Sequence, residues 1–207
     1  MISSAIIEDI KSNLARPALT AYYYLDYKVA NTCNDRGLLS SLLYQLGLDA
    51  DAECCCGPLY ELYKTCEGSN PPNVDALKQC LKEMLERPGK PPIFIVVDGL
   101  DEYPSTSETL YSRETFLDLV GDLVGASHSN LFICVTGRPE PDIQNALHSF
   151  KSESTFHHIS LHDAPGHMED INIYIRSFVQ NDRKMMKWGE KEKKDVIEKL
   201  SRKAGGM

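Results

Sequence analysis

The sequence predicts an α/β fold, a mostly parallel sheet with helices on both sides. Two apolar runs carry that prediction, IFIVV at Ile93–Val97 and LFICVT at Leu131–Thr136. Each is bounded by prolines, acids or a Gly-Arg-Pro turn and reads as a strand buried on both faces. Stripes of helical spacing lie before, between and after them. Alternation of strand and helix implies parallel pairing.

The elements follow in chain order. Ile6, Ile7, Ile10 and Leu14 recur at helical spacing, so a helix is expected from Ser3 to about Asn13. TAYYYLDY, Thr20–Tyr27, is rich in aromatic residues and suits a strand. Asn34 or Asp35 can cap a helix with a Leu38, Leu39, Leu42, Leu43, Leu46 stripe, for which Gly47 is the expected stop. Asp49–Asn73 reads as helix fragments followed by a loop at GSNPPN. Val74, Leu77, Leu81, Met84 and Leu85 form the next helix, closed by Pro88-Gly89 ahead of IFIVV. Phe116, Leu117, Val120, Leu123 and Val124 make a helix before LFICVT, and FHHISL, Phe156–Leu161, is a weaker third strand of this type. Met168, Ile171, Ile175, Phe178 and Val179 mark a further helix. A charged one with a narrow Val196, Ile197, Leu200 face ends the chain.

Composition limits what such a fold can do. A chain of 207 residues, 42% hydrophobic, supports one globular domain with room for a small appendage and is not disordered as a whole. Its net charge of -8 and pI near 5.3 argue against binding the phosphate backbone of a nucleic acid. MISSAIIEDIKSN has no basic-then-apolar layout and the apolar runs are strand-sized, so no targeting segment and no membrane span are expected. Seven cysteines follow no disulfide framework, which points to a reduced, cytoplasmic protein. Cys54-Cys55-Cys56 with Cys66 could seed a zinc site, but adjacent residues cannot all face one ion in ordinary backbone, and buried thiols are the better reading. His128, His148, His157, His158, His162 and His167 carry no metal-binding spacing.

The chemistry sits at the strand ends. Asp98 ends one buried strand and Gly137-Arg138-Pro139 follows another; in a parallel sheet both lie on the carboxyl edge, where open α/β folds bind ligands. An acid and a guanidinium there suit a polyphosphate with magnesium. Asp98 would order the hydrated ion, Asp101 or Glu102 would position a water, and Arg138 would meet the terminal phosphate. The plainer alternative has Asp98 capping the following turn and Arg138 pairing with a surface acid. A metal-dependent hydrolase or nuclease built on Asp98, Asp101 and Glu102 is a third reading, weakened because all three acids come from one turn.

IFIVVDGLDE resembles the extended Walker B segment of NACHT domains, and LFICVTGRPEPDI resembles their sensor segment, whose arginine reads the γ-phosphate. SSAIIEDIK, the YYYLDY strand, LLSSLLYQL and ISLHDAPGHMEDINIYIRSFV resemble the nephrocystin-like NACHT domains of large fungal STAND proteins. The resemblance covers nearly the whole chain. It implies a three-layer P-loop NTPase-like core over 1–162 and the start of a helical lid over 163–207. Magnesium would be held through water by Asp98, a water polarised by Asp101 and Glu102, and the γ-phosphate sensed by Arg138. ATP or GTP would be the ligand, and a signal-transducing oligomerisation switch the context, with other copies or full-length relatives as partners.

One departure bears on activity. The family carries G-x-x-x-x-G-K-[S/T] directly before the segment resembling SSAIIEDIK, whereas here Met1-Ile2 stands where that loop should finish. The only Gly-Lys pair, Gly89-Lys90, is followed by Pro91 and leads into a strand. The expected sheet therefore lacks its first strand and P-loop, which leaves open edges or forces the LFICVT and FHHISL strands together. Losing the phosphate cradle, where even one preorganised donor can be worth roughly 3 kcal/mol, implies a chain unable to hydrolyse NTP alone. The alternative is a nucleotide-independent interaction module or a remnant gene product.

Overall fold

A computed structural model describes residues 2–14, 18–29, 33–48, 53–66, 71–86, 91–104, 113–125, 130–150, 156–160 and 166–204, apart from the side chains at 53–56 and 167. Gly89-Lys90, His128, Leu161, His162 and the Cys54–Cys56 thiols lie outside that description. The chain divides into two compact units, Met1–Ser154 and Thr155–Met207.

The first unit is mixed α/β. Helix α1 (Ile2–Asn13) precedes strand β1 (Leu19–Tyr24), which ends at Tyr24 rather than Tyr27 because Leu25 turns back into the core, its N–H donating to the Asp98 carbonyl at 3.0 Å. Helix α2 (Asp35–Leu48) is capped by Asn34, whose Oδ1 accepts from the Gly37 N–H at 2.7 Å. It runs through Gly47 instead of stopping there. Where fragments were expected, one helix forms, α3 (Glu53–Thr65), with Pro58 in its second turn. Helix α4 (Val74–Glu86) is capped by Asn73, and β2 (Ile93–Asp98) follows. After a 3-10 turn at Leu100–Glu102 come α5 (Arg113–Gly125), β3 (Leu131–Val135) and α6 (Pro141–Ser149).

The three strands are parallel in the order β1-β2-β3. The register pairs Leu19 with Ile93 and Leu131, and Tyr24 with Asp98. Period-two alternation then sorts the faces. Leu19, Ala21, Ile93, Ile95 and Val97 join the leucines of α2, Leu81 and Met84 of α4, and Phe116, Leu117 and Val120 of α5 in one core. The opposite face carries Tyr22, Tyr24, Val96, Asp98 and Cys134 and is covered by α1. There Ser4 Oγ lies 3.4 Å from the Tyr24 hydroxyl and Lys11 Nζ stands 5.1 Å from the centre of the Tyr22 ring. Beyond α1 the Phe94 and Phe132 rings stack at 4.8 Å, with Phe132 about half exposed.

The outer edge of β1 is closed without another strand. The Gln45 side-chain amide of α2 donates to the Tyr22 carbonyl at 2.8 Å and its oxygen accepts from the Tyr22 N–H at 3.1 Å. An amide side chain thereby satisfies the backbone groups that a neighbouring strand would take. Among the described residues β3 pairs only with β2. Phe156–Ser160 forms no strand, since the second unit offers it no described strand to pair with and an isolated strand has no ladder.

The second unit is helical. Helix α7 (His167–Asn181), a 3-10 turn at Met185–Lys187 and α8 (Glu190–Ala204) succeed one another, with α7 packing along α8. Ile175 and Val179 are buried, while no residue of α8 is. Among the described residues no helix is long and apolar enough to cross a membrane.

Candidate nucleotide site at the sheet edge

Parallel pairing brings Asp98 and the segment Thr136–Arg138 to the same edge. Asp98 closes β2 on the α1 face, and its Oδ1 accepts the hydroxyl protons of Ser3 and, at 2.5 Å, Thr136. Ser3 is buried in the first turn of α1, so α1, β2 and the segment after β3 meet on one carboxylate oxygen. Asp98 does not cap the following turn. That turn is made by backbone: Gly99 adopts φ 80, a left-handed conformation in which a side chain would press on the Leu25 carbonyl at 3.2 Å. The N–H groups of Gly99 and Leu100 donate to the Thr136 carbonyl at 3.1 and 2.9 Å, extending the β2–β3 ladder past the strand ends.

The three acids diverge. Asp98 faces Ser3 and Thr136, whereas Glu102 Oε2 accepts from the Tyr27 N–H at 3.1 Å. Asp101 turns to the other side: its Oδ1 accepts from the Arg138 N–H at 3.0 Å and its Oδ2 lies 3.4 Å from Arg138 Nε. Gly137 makes that approach possible, because a Cβ there would stand 3.2 Å from both Asp101 N and Oδ1. Arg138 thus does pair with a nearby acid, but its side chain is 83% exposed, and such a pair is worth about 0–1 kcal/mol and opens readily.

Behind this edge lies a scaffold that sequence reasoning missed. Arg113, 5% exposed, engages all three of its guanidinium nitrogens. Nη1 donates to both Asp142 oxygens at 3.0 and 2.9 Å, Nη2 to the carbonyls of Asp101 and Tyr103 at 2.8 and 3.0 Å, and Nε to Tyr103 O at 3.2 Å. Tyr103, 1% exposed, donates its hydroxyl to the buried carboxylate of Asp35. Burial pushes the Asp35 pKa up, the Tyr103 hydrogen bond and Lys78 pull it back, and burial beside Asp35 drives the Tyr103 phenol far upward. Cys134, across from Val96, has its thiol pushed up by burial and by the Asp98 charge.

Signals for these residues existed. Ser3 stands four residues before Ile7, Asp35 four before Leu39 and Arg113 four before Leu117, so each polar group lies on the buried stripe of its helix. Thr136 is two beyond Cys134 and therefore shares the Asp98 face.

The fit to magnesium rests on the donor set. Ser3, Asp98 and Thr136 offer hard oxygens, and both hydroxyls fall on Oδ1, so Oδ2 takes no hydrogen bond from a described residue. Among the described residues no cluster of three acidic, histidine or cysteine side chains could hold a metal by itself. One carboxylate with waters is how magnesium is usually held, and the arrangement fits that mode.

The fold and this edge are those of a P-loop-like α/β domain lacking a strand, with an acid at the end of β2 and an arginine just beyond the neighbouring parallel β3. The family is more particular: the model described as nephrocystin 3, N-terminal, matches residues 1–138, two thirds of the chain, and the chain belongs to that family. The match ends on Arg138. No curated protein and no solved structure matches the chain.

Proposed function

We propose that this chain forms the magnesium-side and sensor-side half of a nucleotide site in a NACHT-type STAND NTPase, the signalling switch class that its segments resemble. The observation that carries the reading is the placement of Asp98 and Arg138 at one carboxyl edge, on β2 and just beyond β3. Magnesium, when bound, neutralises phosphate charge. Asp98 would hold its water shell, with Ser3 and Thr136 fixing the carboxylate's orientation. Asp101 or Glu102 orients the attacking water, and the exposed Arg138 swings to the terminal phosphate of ATP or GTP. Residues 163–207 belong to the helical lid region of that class.

No G-x-x-x-x-G-K-[S/T] occurs within the 207 residues, so they do not supply the phosphate cradle. Weak nucleotide binding and no resolvable turnover are expected of this chain on its own. The test is equilibrium binding of labelled ATP and GTP with magnesium, with Arg138→Ala as the control. Saturable binding lost in Arg138→Ala supports the site. Absence of binding by a folded chain refutes it and favours a nucleotide-independent interaction module.

A further inference from the structure

We propose that Asp101 is a positioning residue for Arg138, set in place by Arg113, so that a relay Asp142–Arg113–Asp101–Arg138 aims the sensor arginine and leaves the water to Glu102. The aim of Arg138 at a phosphate rests on the nucleotide-site reading above; the relay itself does not.

Arg138 sits in the irregular segment between β3 and α6, and its side chain is almost free of cover. Strand β3 alone cannot orient it, since regular pairing ends before Gly137. Two contacts from Asp101 fill that role, one to the Arg138 backbone N–H and one to its side chain. Both carboxylate oxygens of Asp101 are committed to Arg138, and its side chain is only 15% exposed, which is poor placement for polarising a water. Glu102 commits one oxygen, to the Tyr27 N–H.

Asp101 in turn has no helix to hold it. It lies in a 3-10 turn whose carbonyl is gripped by Arg113 Nη2, while Arg113 Nη1 grips Asp142 in the first turn of α6. One buried guanidinium therefore ties the turn that precedes the sensor contact to the helix that follows the sensor. A planar fork is needed for this. Lysine keeps the charge but offers a single nitrogen and cannot span a carboxylate and two carbonyls.

The experiment is amide hydrogen exchange on the full chain, comparing Arg113→Lys, Asp142→Asn and Asp101→Ala. Arg138 amide exchange should rise about tenfold in Arg113→Lys and Asp101→Ala, and less in Asp142→Asn, with the amides of Val96 and Val97 unchanged. Unchanged exchange at Arg138 overturns the relay. Should Arg113→Lys loosen the whole sheet, Asp142→Asn decides, because its side chain is half exposed and its loss leaves the carbonyl contacts of Arg113 in place.

Binding of fluorescent ATP with magnesium gives the second readout. If the wild-type chain binds, Arg113→Lys should weaken binding, though less than Arg138→Ala does, and the double variant should bind no more weakly than Arg138→Ala alone. Full affinity in Arg113→Lys alongside loss in Arg138→Ala overturns the relay. If the wild-type chain binds no nucleotide, the nucleotide-site reading fails, and the exchange data still decide the relay.

Discussion

Replacing Tyr103 with Phe should destabilise the fold by about 2 kcal/mol near neutral pH, the range for a hydrogen bond to a charged group. Tyr103 is 1% exposed and Phe fills nearly the same space, so cavity formation contributes little. The loss is instead electrostatic: Asp35, 7% exposed, gives up the hydroxyl that donates to it. Asp35 already has a pKa above its ordinary 3.8. An acid that binds its proton more tightly when folded favours the folded state below that ordinary value, and the contribution disappears as pH rises through the folded pKa. The Tyr103 hydroxyl restrains the upward shift, so Phe enlarges it and the destabilisation grows from near pH 4 to near pH 7. Urea denaturation at both pH values measures this, with Tyr103→Phe/Asp35→Asn as a partner variant that should recover part of the loss. A destabilisation below about 0.5 kcal/mol, or one equal at both pH values, would refute the argument.

Gly99→Ala should destabilise by about 2 kcal/mol, from the left-handed backbone and the 3.2 Å approach to the Leu25 carbonyl, and a shifted urea midpoint would show it. Leu81→Ala, at a fully buried position on α4, should cost about 2–5 kcal/mol by the same assay. Cys134 should alkylate slowly at neutral pH and faster in Asp98→Asn, which removes a charge that opposes the thiolate; peptide mass spectrometry resolves the site. Equal alkylation rates in the two proteins would count against that field.

The parallel sheet and the edge position of Asp98 and Arg138 were legible because IFIVV and LFICVT are continuous apolar runs of strand length, and because parallel pairing puts both carboxyl ends on one side; β3 is nevertheless not buried on both faces as its composition suggested, since none of its residues is buried and Phe132 is about half exposed. Gly47 misled: its place at the end of a leucine stripe suggests a stop, yet the helical ladder continues through it to Leu48. Glu53–Thr65 hid behind its mixed polarity and Pro58, which reads as a helix breaker. FHHISL has strand-like composition, but strand formation depends on a partner, and partners are not written locally. The relay was opaque for a related reason. Arg113, Asp142 and Asp101 are distant in sequence, and only the packing of α5 against the acidic turn and α6 brings them together.

The shared register of the three strands carries a consequence for how this sequence can change over time. Substitutions in β2 are judged one side chain at a time, but deleting a single residue between Ile93 and Val97 exchanges its two faces. Asp98 would then leave Ser3 and Thr136 for the leucine core, while apolar side chains would rotate toward α1. Drift by point mutation is gradual here; length variation within the strand is not. Descendants of this sequence should therefore vary in length within the connections and hold the six residues of β2 to a fixed count.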